Sequence, residues 1–426
     1  MKIGLINILI LSSLCWTTLQ AQSAKAIKKG ILDSAKLCTT NAYEIVEGVD
    51  AESIEGWADG KLKKDFLRDF GTVVHECLHS YDHEIAFDEL DFEDGFFPIG
   101  FFLDHDLELV FQGKELYETA DLHPKYYPKE VQNLFRYPVY IYGKDVLTKN
   151  GKIGPSKASS NKWGIYGLLE EFNAYYHGAN AEIEYYRCKQ PADDFSDIMT
   201  SYYEFNIFMA YYIKYAKQYK KTDYSYLMQQ KELRTAYTLM ETNWRNLMYT
   251  VLKDKKLAAL IPSVERTKKV YTPELQKIMS NFMLPQNELS KYKTFFKKRP
   301  YDLDFINKNT HLFTNTSVDA FVDAGVNADD FAELLGSSGT GSFSMELEPT
   351  FREQGYFYVT VKSTKDMEAA FMFYITKVYT KFKSSAGVLI EDDMTASVFL
   401  KKFKSEKEAA AFAKKHKATF SEVKVE

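Results

Sequence analysis

The chain has 426 residues, of which 45% are hydrophobic and 27% are charged, with 54 Lys and Arg against 59 Asp and Glu. This length allows one large hydrophobic core or two ordinary ones, and the slightly acidic balance argues against nucleic-acid binding. Ordinary apolar content, with only 11 Pro and 21 Gly, excludes a fibrous or wholly disordered protein. The 31 Phe and 30 Tyr predict cores rich in aromatic side chains.

Residues 1–22 have the pattern of a secretory signal peptide. A short positive start at Met1-Lys2 precedes the uncharged, mostly apolar run Ile3–Trp16. We expect cleavage after Ala21 or Gln22 and a secreted or periplasmic mature protein. No later stretch approaches the roughly 20 consecutive apolar residues of a membrane-spanning helix, so no transmembrane segment is predicted.

Cleavage of this leader would remove Cys15 and leave three of the four cysteines. Three cysteines do not form a disulfide framework, but one bridge, for instance between Cys38 and Cys188, is allowed in an oxidising compartment. Lipidation at Cys15 is the alternative, although Leu14 stands where a small residue normally precedes a lipid-modified cysteine.

Helical spacing of apolar residues dominates the chain from about Ala26 to Lys298. This spacing predicts four long helices, at Asp65–Tyr81, Gly164–Tyr186, Ser196–Lys220 and Tyr226–Leu252. A further helix is expected to begin after Thr272, which is a typical N-cap residue followed by a proline in the first turn.

Between His83 and Val146 the pattern changes to short apolar or aromatic runs that are broken by Asp, Gly and Pro. These runs predict strands at Gly100–Leu103, Leu107–Phe111 and Tyr137–Tyr142. The first large region is therefore mostly helical, with some strands inserted between its helices.

The small, polar run at 336–342 predicts a linker at 337–342, between a domain at 23–336 and an accessory domain at 343–426. Predicted elements of the accessory domain are strands at Phe343–Glu348, Gly355–Lys362, Phe371–Phe382, Ser397–Phe403 and Ala418–Val425, and a helix opened by a capping box at Ser405 and continuing through Lys415. The predicted fold class is α+β, with a largely helical main domain and a small C-terminal α+β domain.

Residues 75–79 read His-Glu-Cys-Leu-His within a predicted helix. Because His75 and His79 are four positions apart, both imidazoles project from one face and can reach one zinc ion. Glu76 would then lie beside the ion rather than on it. This is the H-E-x-x-H pattern of zinc metallopeptidases. The alternative, two surface histidines beside a glutamate, is disfavoured by the apolar residues that flank them, since unpaired buried histidines are costly.

Catalytic zinc needs a third protein ligand, and the acidic pair Glu170-Glu171 lies in a helix predicted downstream. Here the sequence resembles the gluzincins, zinc metallopeptidases whose third ligand is a glutamate in the form Glu-x-x-Ala, which Glu171 and Ala174 match. Ala174 and Gly178 share the helical face of Glu171, where small side chains would allow two helices to approach closely. Glu170 with Asn173 is the shifted alternative, and an acidic pair on a solvated face is the third interpretation.

The resemblance implies a zincin-like fold and a zinc ion held by His75, His79 and Glu171. In such enzymes the zinc lowers the pKa of its water and polarises the scissile carbonyl, and Glu76 would act as the general base. Thermolysin-like members carry an aspartate four residues after the third ligand as partner of a zinc histidine, but this chain has Tyr175, so that partner stays unassigned. Candidate donors to the tetrahedral oxyanion are His177, Tyr175, Tyr202 and Tyr203.

The sequence therefore predicts a secreted zinc metallopeptidase that acts on peptide or protein substrates. Two alternatives stay open: a zinc amidase acting on a non-protein substrate such as cell-wall peptides, and a non-catalytic binding protein with a zincin fold. The C-terminal domain has no His/Cys/Asp cluster and no nucleophile signature. We expect it to bind a partner or to pack on the catalytic domain.

Overall fold

The computed structural model describes residues 25–26, 28–51, 54, 66–122, 126–134, 136–141, 144–145, 154–155, 162–189, 198–315, 356–364, 373–374, 378, 387–390, 396–417, 419–420 and 423–425. The predicted signal peptide at 1–22 and the predicted linker at 337–342 lie outside these residues. The described part of the chain forms two compact units, one ending at Asn315 and the other beginning at Tyr356. In both units, helices occur together with small antiparallel sheets, which is an α+β mixture dominated by helices.

The first unit is mostly helical. Its helices are α1 (Thr40–Glu47), α2 (Phe66–Glu89), α3 (Lys129–Gln132), α4 (Tyr137–Tyr140), α5 (Ile165–Lys189), α6 (Ile198–Tyr219), α7 (Lys221–Gln229), α8 (Lys231–Leu252), α9 (Lys255–Leu260), α10 (Glu265–Val270), α11 (Pro273–Phe282), α12 (Lys293–Lys298) and α13 (Leu303–Asn309). Helical residues also occupy 28–38, and short 3-10 turns lie at Thr119–Asp121, Gln286–Tyr292 and Thr310–Leu312.

Strands β1 (Phe96–Asp104) and β2 (Leu107–Lys114) form an antiparallel hairpin in this unit. Two-residue strands β3 (Lys144–Asp145) and β4 (Gly154–Pro155) pair separately. The predicted strands Gly100–Leu103 and Leu107–Phe111 are thus confirmed in the hairpin, which packs along α2.

The long predicted helices are confirmed with shifted ends. Helix α2 continues past Tyr81 to Glu89, and the predicted helix Tyr226–Leu252 is interrupted at Gln230, where the backbone is extended between α7 and α8. Thr272 is the N-cap of α11, since its side chain accepts a hydrogen bond from the Leu275 backbone N–H.

Two predicted strands are wrong. The segment Tyr137–Tyr142 contains helix α4, and the segment Phe371–Phe382 has helical backbone at its described residues 373, 374 and 378. The aromatic composition of both segments resembles that of strands. Their buried residues, however, are three or four positions apart, as Tyr374 and Val378 are, and this is the spacing of one helix face.

The second unit contains a four-stranded antiparallel sheet in the order β6-β7-β5-β8. Its strands are β5 (Phe357–Thr364), β6 (Gly387–Ile390), β7 (Ala396–Phe403) and β8 (Lys424–Val425), and helix α14 (Glu406–His416) packs against β5. A small core of Tyr358, Leu389 and Phe399 holds this sheet together.

Several details of this unit differ from the sequence-based expectation. Strand β6 was not predicted, and the last strand covers only the two residues of β8. Ser405 is the N-cap of α14, but its side chain makes no capping hydrogen bond. The predicted strand Phe343–Glu348 lies outside the described residues.

The interior of the first unit is rich in aromatic side chains, as the composition predicts. Phe172 on α5 packs between Tyr237 and Trp244 on α8, and all three are almost fully buried. The indole N–H of Trp244 donates to the carbonyl oxygen of Phe172 at 3.0 Å. These contacts fix α5 against α8, so that the opposite side of α5 faces α2.

A disulfide joins Cys38 to Cys188 near the end of α5, and Cys77 is a buried free thiol. Disulfides are typical of proteins in oxidising compartments such as the periplasm or the extracellular space. In the described part of the chain, every helix is too short or too polar to cross a membrane.

Candidate metal centre

Helix α2 carries both histidines of the sequence motif on one face. Their Nε2 atoms lie 3.2 Å apart, and the two rings meet edge to face. The side chain of His75 is 11% exposed and that of His79 is 22% exposed, so solvent reaches the pair mainly from the His79 side.

Helix α5 begins directly after Gly164, whose φ of +59° is a conformation that favours glycine. Farther along the helix, a β-carbon added to Gly178 would lie 2.7 Å from the carbonyl oxygen of Gly71 on α2 and 3.4 Å from Cβ of His75. The two backbones therefore approach closely where the small residue at 178 predicted that they would. This close approach brings the acidic pair on α5 to the histidines.

Glu171 lies beside both histidines. Its Oε2 atom is 3.5 Å from Nε2 of His75 and 3.6 Å from Nε2 of His79. The carboxylate is buried, and Oε2 accepts no hydrogen bond from the described residues. Burial alone would raise the pKa of Glu171, but the adjacent His79 and His75 outweigh it and lower that pKa to about 2. The group is therefore an ionised carboxylate whose Oε2 atom has the two imidazoles beside it but no hydrogen-bond donor among the described residues.

The three side chains meet the requirements of a metal site. Ligand atoms bound to one tetrahedral zinc ion at about 2.0–2.2 Å lie roughly 3.3–3.6 Å from one another. The two Nε2 atoms and Glu171 Oε2 are separated by 3.2, 3.5 and 3.6 Å. A buried oxygen without a partner is costly unless a cation or donor satisfies it. His75, His79 and Glu171 could therefore hold a metal ion, and their role as ligands remains a prediction.

Glu170 contacts the same histidine at its other nitrogen. Nδ1 of His79 lies 3.1 Å from Oε1 of Glu170. Burial lowers the pKa of His79, but Glu171 and Glu170 together raise it well above its ordinary value. The structure thus places Glu171, rather than the shifted alternative Glu170, next to the two Nε2 atoms.

A set of side-chain hydrogen bonds connects the hairpin to both site helices. The backbone N–H of Phe102 on β1 donates to Oδ1 of Asp82 at 2.7 Å, and its carbonyl oxygen accepts from Nδ2 of Asn173 at 2.8 Å. Asn173 also lies 3.4 Å from Oδ2 of Asp82. Because Asp82 is three positions after His79 and Asn173 is two after Glu171, this set fixes the rotation of α2 and α5 about their axes.

Tyr175 forms another wall of the centre. Its ring packs on the ring of His75, and its hydroxyl lies 3.1 Å from the hydroxyl of Tyr140. The guanidinium of Arg136 lies 4.5 Å from the centroid of the Tyr175 ring and forms a buried ion pair with Glu204. Tyr175 is thus the candidate oxyanion donor that contacts a member of the metal centre directly.

The other sequence-predicted residues occupy different surroundings. Glu76 is half-buried on α2 beside His75. Tyr202 donates to Glu241 at 2.6 Å, and Tyr203 packs against Tyr202 and Tyr271. His177 packs against Phe102 and Tyr176. The described ring contacts and hydrogen bonds of Tyr202, Tyr203 and His177 do not include His75, His79 or Glu171, and their role as oxyanion donors stays a prediction.

Sequence reasoning missed Tyr140 and Arg136. Tyr140 belongs to the segment that was interpreted as a strand, and Arg136 directly precedes that segment. Helix α4 places the Tyr140 hydroxyl beside that of Tyr175, and Arg136, the N-cap of α4, lies over the Tyr175 ring. The three-residue spacing of buried Tyr137 and Tyr140 was a usable helical signal. Nothing in the sequence signalled that Arg136 would contact α5.

Comparison of the chain with models of protein families, with curated proteins and with solved structures finds no match. Any assignment of activity therefore depends on the geometry of this centre.

Proposed function

We propose that this chain is a zinc-dependent metallopeptidase with a zincin-like fold of the gluzincin type. The observation that supports this most strongly is the convergence of two Nε2 atoms and one carboxylate oxygen at separations of 3.2, 3.5 and 3.6 Å. Two nitrogen ligands and one oxygen ligand, with the fourth position left to water, form the ligand set of catalytic rather than structural zinc sites.

The chain's own residues divide the chemistry among them. His75, His79 and Glu171 would hold the ion, which when bound supplies a Lewis acid that acidifies a water molecule and polarises a peptide carbonyl. The carboxylate of Glu76 takes the proton of that water and delivers it to the nitrogen of the leaving amine. The hydroxyl of Tyr175 donates a hydrogen bond to the oxyanion that develops on the former carbonyl oxygen.

The same proposal covers the location of the protein. An N-terminal signal peptide would direct the chain to the periplasm or the exterior, where the Cys38–Cys188 disulfide is stable. The substrate is then a peptide or protein outside the cytoplasm, and the unit from Tyr356 onward would bind a partner or pack on the catalytic unit.

Two variants test the proposal. Glu76→Gln should keep one zinc per chain and lose turnover, because the amide cannot accept the proton of water. Glu171→Ala should lose zinc, while Glu184→Ala, a matched change on the same helix, should retain it. Full turnover by Glu76→Gln would refute the assigned base, and unchanged zinc content in Glu171→Ala would refute the assigned ligand.

The substrate class can be tested with the same protein. Purified protein loaded with zinc is incubated with an unstructured protein and, separately, with cell-wall peptides. Cleavage of the unstructured protein supports the metallopeptidase. Cleavage of cell-wall peptides alone would replace it with an amidase, and zinc binding without either cleavage would support a binding protein.

A further inference from the structure

We infer that Glu170 is a positioning residue for the metal centre, which accepts the Nδ1 proton of His79 and so directs the Nε2 lone pair toward His75 and Glu171. The inference rests on the proposed function, because it concerns how the chain prepares a ligand for the ion. Thermolysin-like enzymes use an aspartate, at the position of Tyr175 in this chain, as the partner of a zinc histidine. The inference assigns that task to Glu170, as the partner of His79.

The chemistry of the two groups supports this role. A neutral imidazole has one N–H and one lone pair, and an ionised carboxylate can only accept. The 3.1 Å contact of Glu170 Oε1 with Nδ1 therefore favours the tautomer whose proton is on Nδ1. Nε2, which lies 3.2 Å from the His75 ring and 3.6 Å from Glu171, is then left as the metal-binding atom. A carboxylate at the other ring nitrogen also makes a metal-binding histidine more basic.

Helix geometry explains how adjacent residues perform separate tasks. Successive side chains on an α-helix point about 100° apart, so Glu170 and Glu171 reach His79 from different directions. The Glu170 side chain is 23% exposed and that of His79 is 22% exposed, so their contact is only partly screened by water. The carboxylates of Glu170 and Glu171 would together place two negative charges near a divalent ion.

Asp82, which lies three positions after His79 on α2, does not take this role. Oδ1 of Asp82 accepts from the Phe102 backbone N–H, and Oδ2 faces the amide nitrogen of Asn173. Both oxygens of Asp82 are thus occupied in fixing the hairpin. Glu170 is the acceptor that the structure places at Nδ1.

The test measures zinc affinity of the full chain by competition with a fluorescent chelator, with zinc alone as the probe. Glu170→Ala should weaken binding by about 10- to 100-fold, the usual effect of removing a histidine's outer partner. Glu170→Gln, whose amide oxygen can still accept the proton but carries no charge, should fall between Glu170→Ala and the wild type. Glu184→Gln removes a half-buried carboxylate elsewhere on α5 and should leave the affinity unchanged.

The outcomes separate this inference from the proposed function. A wild-type chain that binds no zinc would refute the proposed metal centre itself. Wild-type zinc affinity in both Glu170 variants would overturn only the positioning role. Complete loss of zinc in Glu170→Ala would also overturn it, because Glu170 would then be a ligand. Thermal unfolding of the zinc-free proteins reports any structural damage, and Glu170→Gln alone decides the question if Glu170→Ala does not fold.

Discussion

The ring of Tyr175 packs edge-on against the ring of His75, with centroids 4.5 Å apart. Its hydroxyl is held by Tyr140, and the cation of Arg136 lies over its face. Burial raises the pKa of the Tyr175 hydroxyl, so the group remains a proton donor at neutral pH. These contacts favour Tyr175 among the tyrosines that the sequence nominated.

Tyr175→Phe should lower kcat by about 100-fold with a smaller change in KM, because one donor to the transition-state oxyanion is removed. Zinc content should not change. The control is Tyr202→Phe, which also removes a buried hydroxyl but one that is bonded to Glu241. That variant should lose stability, by about 1–3 kcal/mol, and keep its kcat. Equal kcat in Tyr175→Phe and the wild type would exclude this role.

The close approach of α2 and α5 predicts a steric effect at Gly178. A methyl group there would lie 2.7 Å from the Gly71 carbonyl oxygen, so Gly178→Ala should push the helices apart. We expect a loss of about 1–3 kcal/mol of unfolding free energy, together with weaker zinc binding. Gly30→Ala is the control, because a β-carbon at Gly30 meets open space in a helical segment. It should stabilise the chain slightly, and equal behaviour of the two variants would contradict the packing argument.

How much of the centre the sequence predicts depends on the range of each contact. His75 and His79 lie on one helix, and their spacing alone brings them together. Glu171 is 92 positions after His79, and it was singled out by its resemblance to a known ligand pattern and by the small residues Ala174 and Gly178 on its helical face. The choice between Glu170 and Glu171 depends on the rotation of α5, which packing at Gly178 and the hydrogen bonds of Asn173 determine.

The helices and strands were also predictable from the sequence only in part. Long helices were predictable because their apolar residues repeat every three or four positions over several turns. Short elements such as α4 were not, since a single turn made of aromatic residues resembles a strand in composition. That error concealed Tyr140 and the contact of its hydroxyl with Tyr175. Arg136 lies just before the wrongly predicted strand, and its contact with the Tyr175 ring had no signal in the sequence.

The Cys38–Cys188 bridge predicts sensitivity to reductants. It joins residues 150 positions apart, so its removal frees a long loop in the unfolded chain. Replacing both cysteines with serine should lower the unfolding free energy by about 2–5 kcal/mol. Thermal unfolding with and without dithiothreitol measures this: the wild type should shift downward on reduction, and the double variant should not respond. A wild type that is insensitive to full reduction would contradict the expected contribution.

His177 predicts a loss of stability in acid. The ring is buried, and its Nε2 atom has no hydrogen-bond partner among the described residues. Burial lowers the pKa of His177 to about 3. In the unfolded chain a histidine has a pKa of about 6.5. Between these values the unfolded chain binds one more proton at His177 than the folded chain does. The contribution of the neutral ring to the unfolding free energy is therefore fully present above pH 6.5 and is lost as the pH decreases toward 3.

Replacing His177 with Gln should therefore flatten the pH dependence of the unfolding free energy by up to about 1.4 kcal/mol per pH unit in this range. Chemical denaturation of the zinc-free protein at pH 7, 6 and 5 measures the slope. His83→Gln, which changes an exposed ring, should leave the slope as it is in the wild type. If His177→Gln also kept the wild-type slope, the buried ring would have to take up its proton without unfolding, and the stated cause of its low pKa would be wrong.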